Sequence, residues 1–142
     1  MNDCIFCAIV AGVAPASVVL DEPDVLAFMD IRPFTPGHLL VVPKRHASGL
    51  AQLEPDDGSA VFDAGRRIAT ALRASSLPID GVNLMLADGV AAGQEVFHVH
   101  LHVVPRTGGD GFGMRARPQS PNRTVLDGTA DAIRSALTVP EG

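Results

Sequence analysis

Three of the chain's five histidines fall at His98, His100 and His102. Side chains alternate faces along a strand. A strand over Val96–Val104 therefore sends all three imidazoles to one side, and Val99, Leu101 and Val103 to the other. Three chemistries suit such a row. The rings could be hydrogen-bonded members of a core. They could ligate a catalytic zinc ion, although adjacent strand positions rarely bring three ring nitrogens onto one ion without a bulge. They could also serve transfer at phosphorus, because neutral imidazole is present at pH 7 and attacks phosphorus to give a labile N–P bond. That third chemistry needs one ring nitrogen facing the phosphorus and the other keeping its proton on an acceptor. A carbonyl of the same strand can be that acceptor, and a second imidazole can stabilise the phosphate oxygens or the leaving group.

A second reactive pair is Cys4-Ile-Phe-Cys7. A redox pair of this spacing needs a following helix in a βαβ setting, which the sequence does not offer. A zinc site needs two further ligands from elsewhere in the chain. Reduced thiols are the remaining reading.

The elements that must position these residues follow from periodicity and turn residues. Ser17–Leu20 and Val25–Met29 are predicted strands, joined by a turn at Asp21-Glu-Pro-Asp24. Ile31–Gly37 holds two prolines and a glycine and is a connection. A third strand runs from His38 to Val42 and stops at Pro43. Asp56–Ala74 is the best helix, with Val61, Ala64, Gly65, Ile68 and Leu72 on one stripe and two acids in the first turn. Gly81–Leu86 is a fourth strand and Val96–Val104 the fifth, with Gly89 and Gly93 turning the chain between them. Thr107–Gly128 is rich in Gly and Pro and carries little predicted structure. Thr129–Leu137 is a short helix capped by Asp127 or Thr129. Asn122-Arg-Thr124 fits a glycosylation sequon, which has no meaning without secretion. The order β-β-β-α-β-β predicts an α+β domain with an antiparallel sheet around one long helix. Residues 1–113 form its core, and 114–142 a tail and short helix belonging to the same domain.

Composition narrows the function classes. The 142 residues are 46% hydrophobic and 19% charged, which suits one folded domain. Net charge is −5, and Lys44 is the only lysine, so no basic face is available to track a nucleic acid. Trp and Tyr are absent and Phe numbers six, too few for a base-stacking platform. No segment is long enough to span a bilayer, and the N-terminus lacks the basic start of a signal peptide. A cytoplasmic location is the expectation.

Gly93-Gln-Glu-Val-Phe-His98-Val-His100-Leu-His102-Val-Val-Pro-Arg106 resembles the signature of the histidine triad family of nucleotide hydrolases and transferases. Phe28-Met-Asp30-Ile31, Pro36-Gly-His38 through His46, Asp80-Gly-Val-Asn83 and Pro105–Phe112 resemble family segments at the corresponding places. The resemblance covers roughly residues 3 to 113. It implies a five-stranded antiparallel sheet that pairs with a second copy into ten strands. It makes His100 the nucleophile towards the α-phosphorus of a nucleotide, with His98 orienting it through its carbonyl and His102 binding phosphate. Gln94 is implied at the phosphate or leaving group. Phe6, Phe28, Asp30 and Ile31 are implied at the base and ribose of a purine nucleotide. A carboxylate at Asp30 can accept both ribose hydroxyls while apolar side chains sandwich the base. Bacterial relatives with this CxxC imply a structural Zn²⁺ on Cys4, Cys7, His46 and His98, a closed set of two sulfurs and two nitrogens. His38 is expected to be structural, beside the Pro36-Gly37 turn.

Two positions depart from better-known branches. Ala87 stands where those branches carry a side-chain amide, and Glu95 where they carry Ser or Thr. Strand alternation puts Glu95 off the face of His98. The expected activity is hydrolysis at the α-phosphorus of nucleoside 5′-phosphate derivatives. The alternatives are a nucleotidylyl transferase and a catalytically silent nucleotide-binding or interaction module.

Overall fold

A computed structural model describes residues 3–137; residues 1–2 and 138–142, the outer ends of the two expected spans, lie outside the described residues. The chain divides into two compact units, one ending at Phe112 and one beginning at Gly113. Among the described residues no helix is long and apolar enough to cross a membrane.

The first unit is an antiparallel sheet of five strands: β1 (Val18–Asp21), β2 (Val25–Met29), β3 (Leu39–Pro43), β4 (Gly81–Leu86) and β5 (Leu101–Arg106), in spatial order β1-β2-β3-β5-β4. Both faces of its centre are covered, so β2 and β3 are apolar throughout rather than alternating with polar residues. Val25, Ala27, Leu39, Val41, Leu101 and Val103 pack beneath α2 (Pro55–Ala74). Its expected stripe of Val61, Ala64, Gly65, Ile68 and Leu72 is the buried face. A Cβ at Gly65 would stand 2.7 Å from Leu101 Cδ2, so a glycine lets the helix lie tight on β5. On the opposite face Leu26, Phe28, Leu40 and Val42 pack with Phe6 of α1 (Ile5–Val10). Cys4 caps that helix, its Sγ accepting from Cys7 N–H at 3.3 Å.

Several boundaries differ from the sequence reading: the first strand runs one residue later, at Val18–Asp21, and the long helix starts one residue earlier, at Pro55. The fifth strand starts at Leu101, not Val96, because the preceding segment finds other partners: Val99 N–H donates to Ala47 O at 2.8 Å, outside the sheet ladder. His98 and His100 thus lie just before the strand. The third strand runs one residue later than expected and takes in Pro43. In the second unit, α3 spans Arg123–Leu137 rather than starting at Thr129. Asn122 Oδ1 accepts from Val125 N–H at 2.9 Å, so the cap is Asn122 and not Asp127 or Thr129.

Candidate active site and metal centre

Hydrogen bonds to the backbone assign a tautomer to His98, His100 and His38, because a carbonyl can only accept and an amide N–H can only donate. His98 Nε2 lies 2.7 Å from Pro43 O and therefore carries the proton, which leaves Nδ1 bare. His100 Nδ1 lies 2.8 Å from His98 O and carries its proton there, which leaves Nε2 with a free lone pair. His38 Nδ1 accepts from Phe34 N–H at 3.0 Å, so its proton is on Nε2, 2.9 Å from His102 Nδ1. His98 and His38 are wholly buried and His100 nearly so.

The bare Nδ1 of His98 points into a cluster with Cys4, Cys7 and His46. Cys4 Sγ is 3.4 Å away, Cys7 Sγ 3.5 Å and His46 Nδ1 3.2 Å, while Cys7 Sγ and His46 Nδ1 are 3.3 Å apart. Zinc bonds of about 2.05 Å to nitrogen and about 2.3 Å to sulfur, at tetrahedral angles, give N···N edges of about 3.3 Å and N···S edges of about 3.5 Å. The four donors fit a zinc ion in spacing and chemistry, and the second nitrogen of His98 is anchored as a ligand ring requires.

His100 and His102, with ring centroids 4.9 Å apart, line a cavity of about 500 Å³ with Phe6, Phe28, Asp30 and Ile31. Phe6 packs edge-to-face with His100 and with Phe28, at 5.1 and 5.4 Å between ring centroids. Asp30 Oδ1 accepts from Arg32 N–H at 2.8 Å, which fixes the carboxylate beside the cavity. The walls are apolar and the polar groups few and convergent, the usual make-up of a small-molecule site.

Two expected placements change. Gln94 is buried away from the cavity. Its Oε1 accepts from Gly89 N–H at 2.8 Å, and its Nε2 donates to Ser48 O and Val96 O at 2.8 and 3.1 Å. The amide is engaged with backbone groups, and Gln94 holds the turn between Gly89 and Gly93. Glu95, expected off the histidine face, does line the cavity, because residues 95–100 are not a strand and alternation does not apply to them. It is largely exposed and stands 4.0 Å from Arg32 at the mouth. Arg32 and the covering Phe34 were not singled out by sequence. The Pro36-Gly37 turn is the one signal that folds Phe34 back over His38, at 4.8 Å between ring centroids.

Burial pushes the imidazolium forms of His38 and His98 below the ordinary histidine range. His102 is pushed down to about 4, by burial first and then by its neighbours His100 and His38, against the pull of Asp30. An unfolded histidine titrates near pH 6.5, at about that value. Between there and about 4 the unfolded chain takes up protons that the folded one refuses, so stability falls with falling pH across that window. The melting temperature should therefore drop from about pH 6.5 to about pH 5, before most carboxylates titrate. A calorimetric melting point that stays flat over that span would contradict a neutral, buried His38 and a neutral, half-buried His102.

A family model for the HIT domain matches residues 11–109. An uncharacterised HIT-like protein of Mycobacterium tuberculosis is 45% identical over 138 residues, covering 94% of this chain and 92% of that one. Protein hit of Bacillus subtilis is 45% identical over 113 residues, covering 79% and 77%. Among solved structures, a Zn-bound histidine triad family protein from Mycobacterium smegmatis superposes with a TM-score of 0.76 at 43% identity, covering 94% of this chain and 97% of that one. A HIT family hydrolase from Legionella pneumophila gives a TM-score of 0.64 at 35% identity, covering 82% and 100%. Cys4 and Cys7 lie outside the matched range, yet the fold brings them onto a histidine inside it. With the matched span holding the sheet and all three triad histidines, the chain belongs to the histidine triad (HIT) family.

Proposed function

We propose that the protein hydrolyses nucleoside 5′-phosphate derivatives at the α-phosphorus through a nucleotidyl-His100 intermediate. The single observation that carries this reading is the bare Nε2 of His100 on the wall of an apolar cavity, with its Nδ1 proton held by His98 O at 2.8 Å. The base enters between Phe6, Phe28 and Ile31, and Asp30 accepts the ribose hydroxyls. The Nε2 lone pair of His100 attacks phosphorus, the N–P bond forms, and the bond to the leaving group breaks. The leaving group takes a proton from solvent at the mouth. Water then attacks phosphorus, the N–P bond breaks, and the water's proton returns to solvent. The Nε2–H of His102 donates to a phosphoryl oxygen as negative charge builds there. His98 places the nucleophile through its carbonyl, while its ring belongs to the zinc cluster. A zinc ion there would have all four positions filled by protein and no water to activate, so its role is structural.

Ala87 offers no amide to a polyphosphate, and Glu95 places a carboxylate at the mouth. Amine or small leaving groups are therefore favoured over a second charged nucleotide. An adenosine 5′-phosphoramidate should be turned over with kcat/KM at least equal to that for diadenosine tetraphosphate. A clear preference for the dinucleotide would reverse the assignment, and turnover of neither would favour a silent nucleotide-binding module.

The sheet ends on β4, whose outer edge has no strand partner among the described residues. Pairing through such an edge supports a homodimer. Sedimentation at micromolar concentration should show a dimer; a single species of monomer mass would count against it.

A further inference from the structure

Asp30, His38 and His102 form a second group close enough to hold a metal ion. Their protons argue otherwise. His38 is 0% exposed, and Phe34 N–H points into its Nδ1 at 3.0 Å. A protonated Nδ1 would set two hydrogens against each other, so His38 is neutral with its hydrogen on Nε2. That nitrogen cannot ligate a metal while it carries the hydrogen. It sits 2.9 Å from His102 Nδ1, a hydrogen-bond distance, but 3.6 Å from Asp30 Oδ2. The hydrogen therefore goes to His102, whose Nδ1 must be bare and whose own proton must be on Nε2.

We propose that His38 is a positioning residue: a directed chain from Phe34 N–H through His38 to His102 locks His102 as its Nε2–H tautomer, so that it meets a phosphoryl group as a donor. Neutral free imidazole populates both tautomers, and the wrong one would present a lone pair to an anionic oxygen. The lock also stops His102 from taking a second proton without breaking the bond to His38. Phe34 keeps both rings in place. It lies nearly parallel to His102 at 6.1 Å between centroids and stacks in turn against Phe112 at 5.2 Å. The titratable and aromatic groups facing His102 are thus His38, His100, Asp30 and Phe34, and among the described residues only His38 presents a hydrogen to Nδ1.

The donor role rests on the proposed hydrolysis, whereas the tautomer can be tested without turnover. Long-range ¹H–¹⁵N ring spectra of the ¹⁵N-labelled wild-type protein should show His102 protonated at Nε2 and bare at Nδ1 near neutral pH. His38→Leu removes both the acceptor for Phe34 and the donor to His102. It should give His102 a mixed or Nδ1–H signature, with kcat on an adenosine phosphoramidate falling about 10- to 100-fold and KM changing less, because one charge-stabilising donor is lost. His38→Gln, which can still present an N–H towards His102, should restore the tautomer and most of kcat. If His38→Leu does not fold, the wild-type spectrum still decides the tautomer. An Nδ1–H His102 in the wild type, or a His38→Leu protein that loses kcat with the tautomer unchanged, would overturn the lock. Retained turnover in His100→Ala would instead remove the nucleophile and leave the tautomer result standing.

Discussion

His100→Ala should lower kcat on an adenosine phosphoramidate by on the order of 10⁴-fold or more, because the group that forms the bond to phosphorus is removed while the pocket that binds the nucleotide is kept. At 1.36 kcal/mol per factor of ten, that is about 5 kcal/mol of transition-state stabilisation. The KM should move little. Folding should be nearly unaffected, because the ring lines a cavity on one side and its removal enlarges a space already present. Steady-state kinetics with the melting temperature measured in parallel separates loss of chemistry from loss of structure. A well-folded variant that still turns over would dismiss His100 as nucleophile, and with it the covalent intermediate.

Removing the metal cluster should cost stability most. Purified protein should hold about one zinc ion per chain, as one tetrahedral site requires. Cys4→Ser combined with Cys7→Ser should abolish it and lower the melting temperature by on the order of 10 °C, as a loss of a few kcal/mol does in a chain of this size. The cluster joins the cap of α1, the segment after β3 and the segment before β5, three stretches far apart in sequence. Without the ion, the ring of His98 keeps its bond to Pro43 O but loses what holds Nδ1, and the carbonyl that aims His100 loosens with it. Turnover should therefore weaken rather than vanish. Metal analysis showing no zinc, together with a melting temperature unmoved by chelation, would refute the site.

The sequence by itself determined the order of elements along the chain, the long helix and its buried stripe, since each rests on local periodicity and on prolines and glycines that admit few alternatives. Through the row His98, His100, His102 and its flanking segments it also determined the family, and it named the four residues of the metal cluster and six that line the cavity, though not Arg32 or the Phe34 that covers His38. The family resemblance implied how those residues divide their labour, but local pattern could not show the geometry that divides it. Periodicity treats the three histidines as equals on one strand. The fold begins β5 only at Leu101 and separates them: His98 turns its ring to the cysteines, and His100 and His102 face the cavity. Their tautomers depend on acceptors and donors 55 and 64 residues away, Pro43 for His98 and His38 for His102, which no local pattern contains. The surroundings of Gln94 and Glu95 are likewise set by the tertiary structure. A side-chain amide goes where buried backbone groups lack partners, and an irregular segment does not alternate. Local sequence specifies which groups exist and how each stretch of chain bends. Only long-range packing settles which lone pair faces which proton, and on that difference rest the separate roles of ligand, nucleophile and donor proposed for the three histidines.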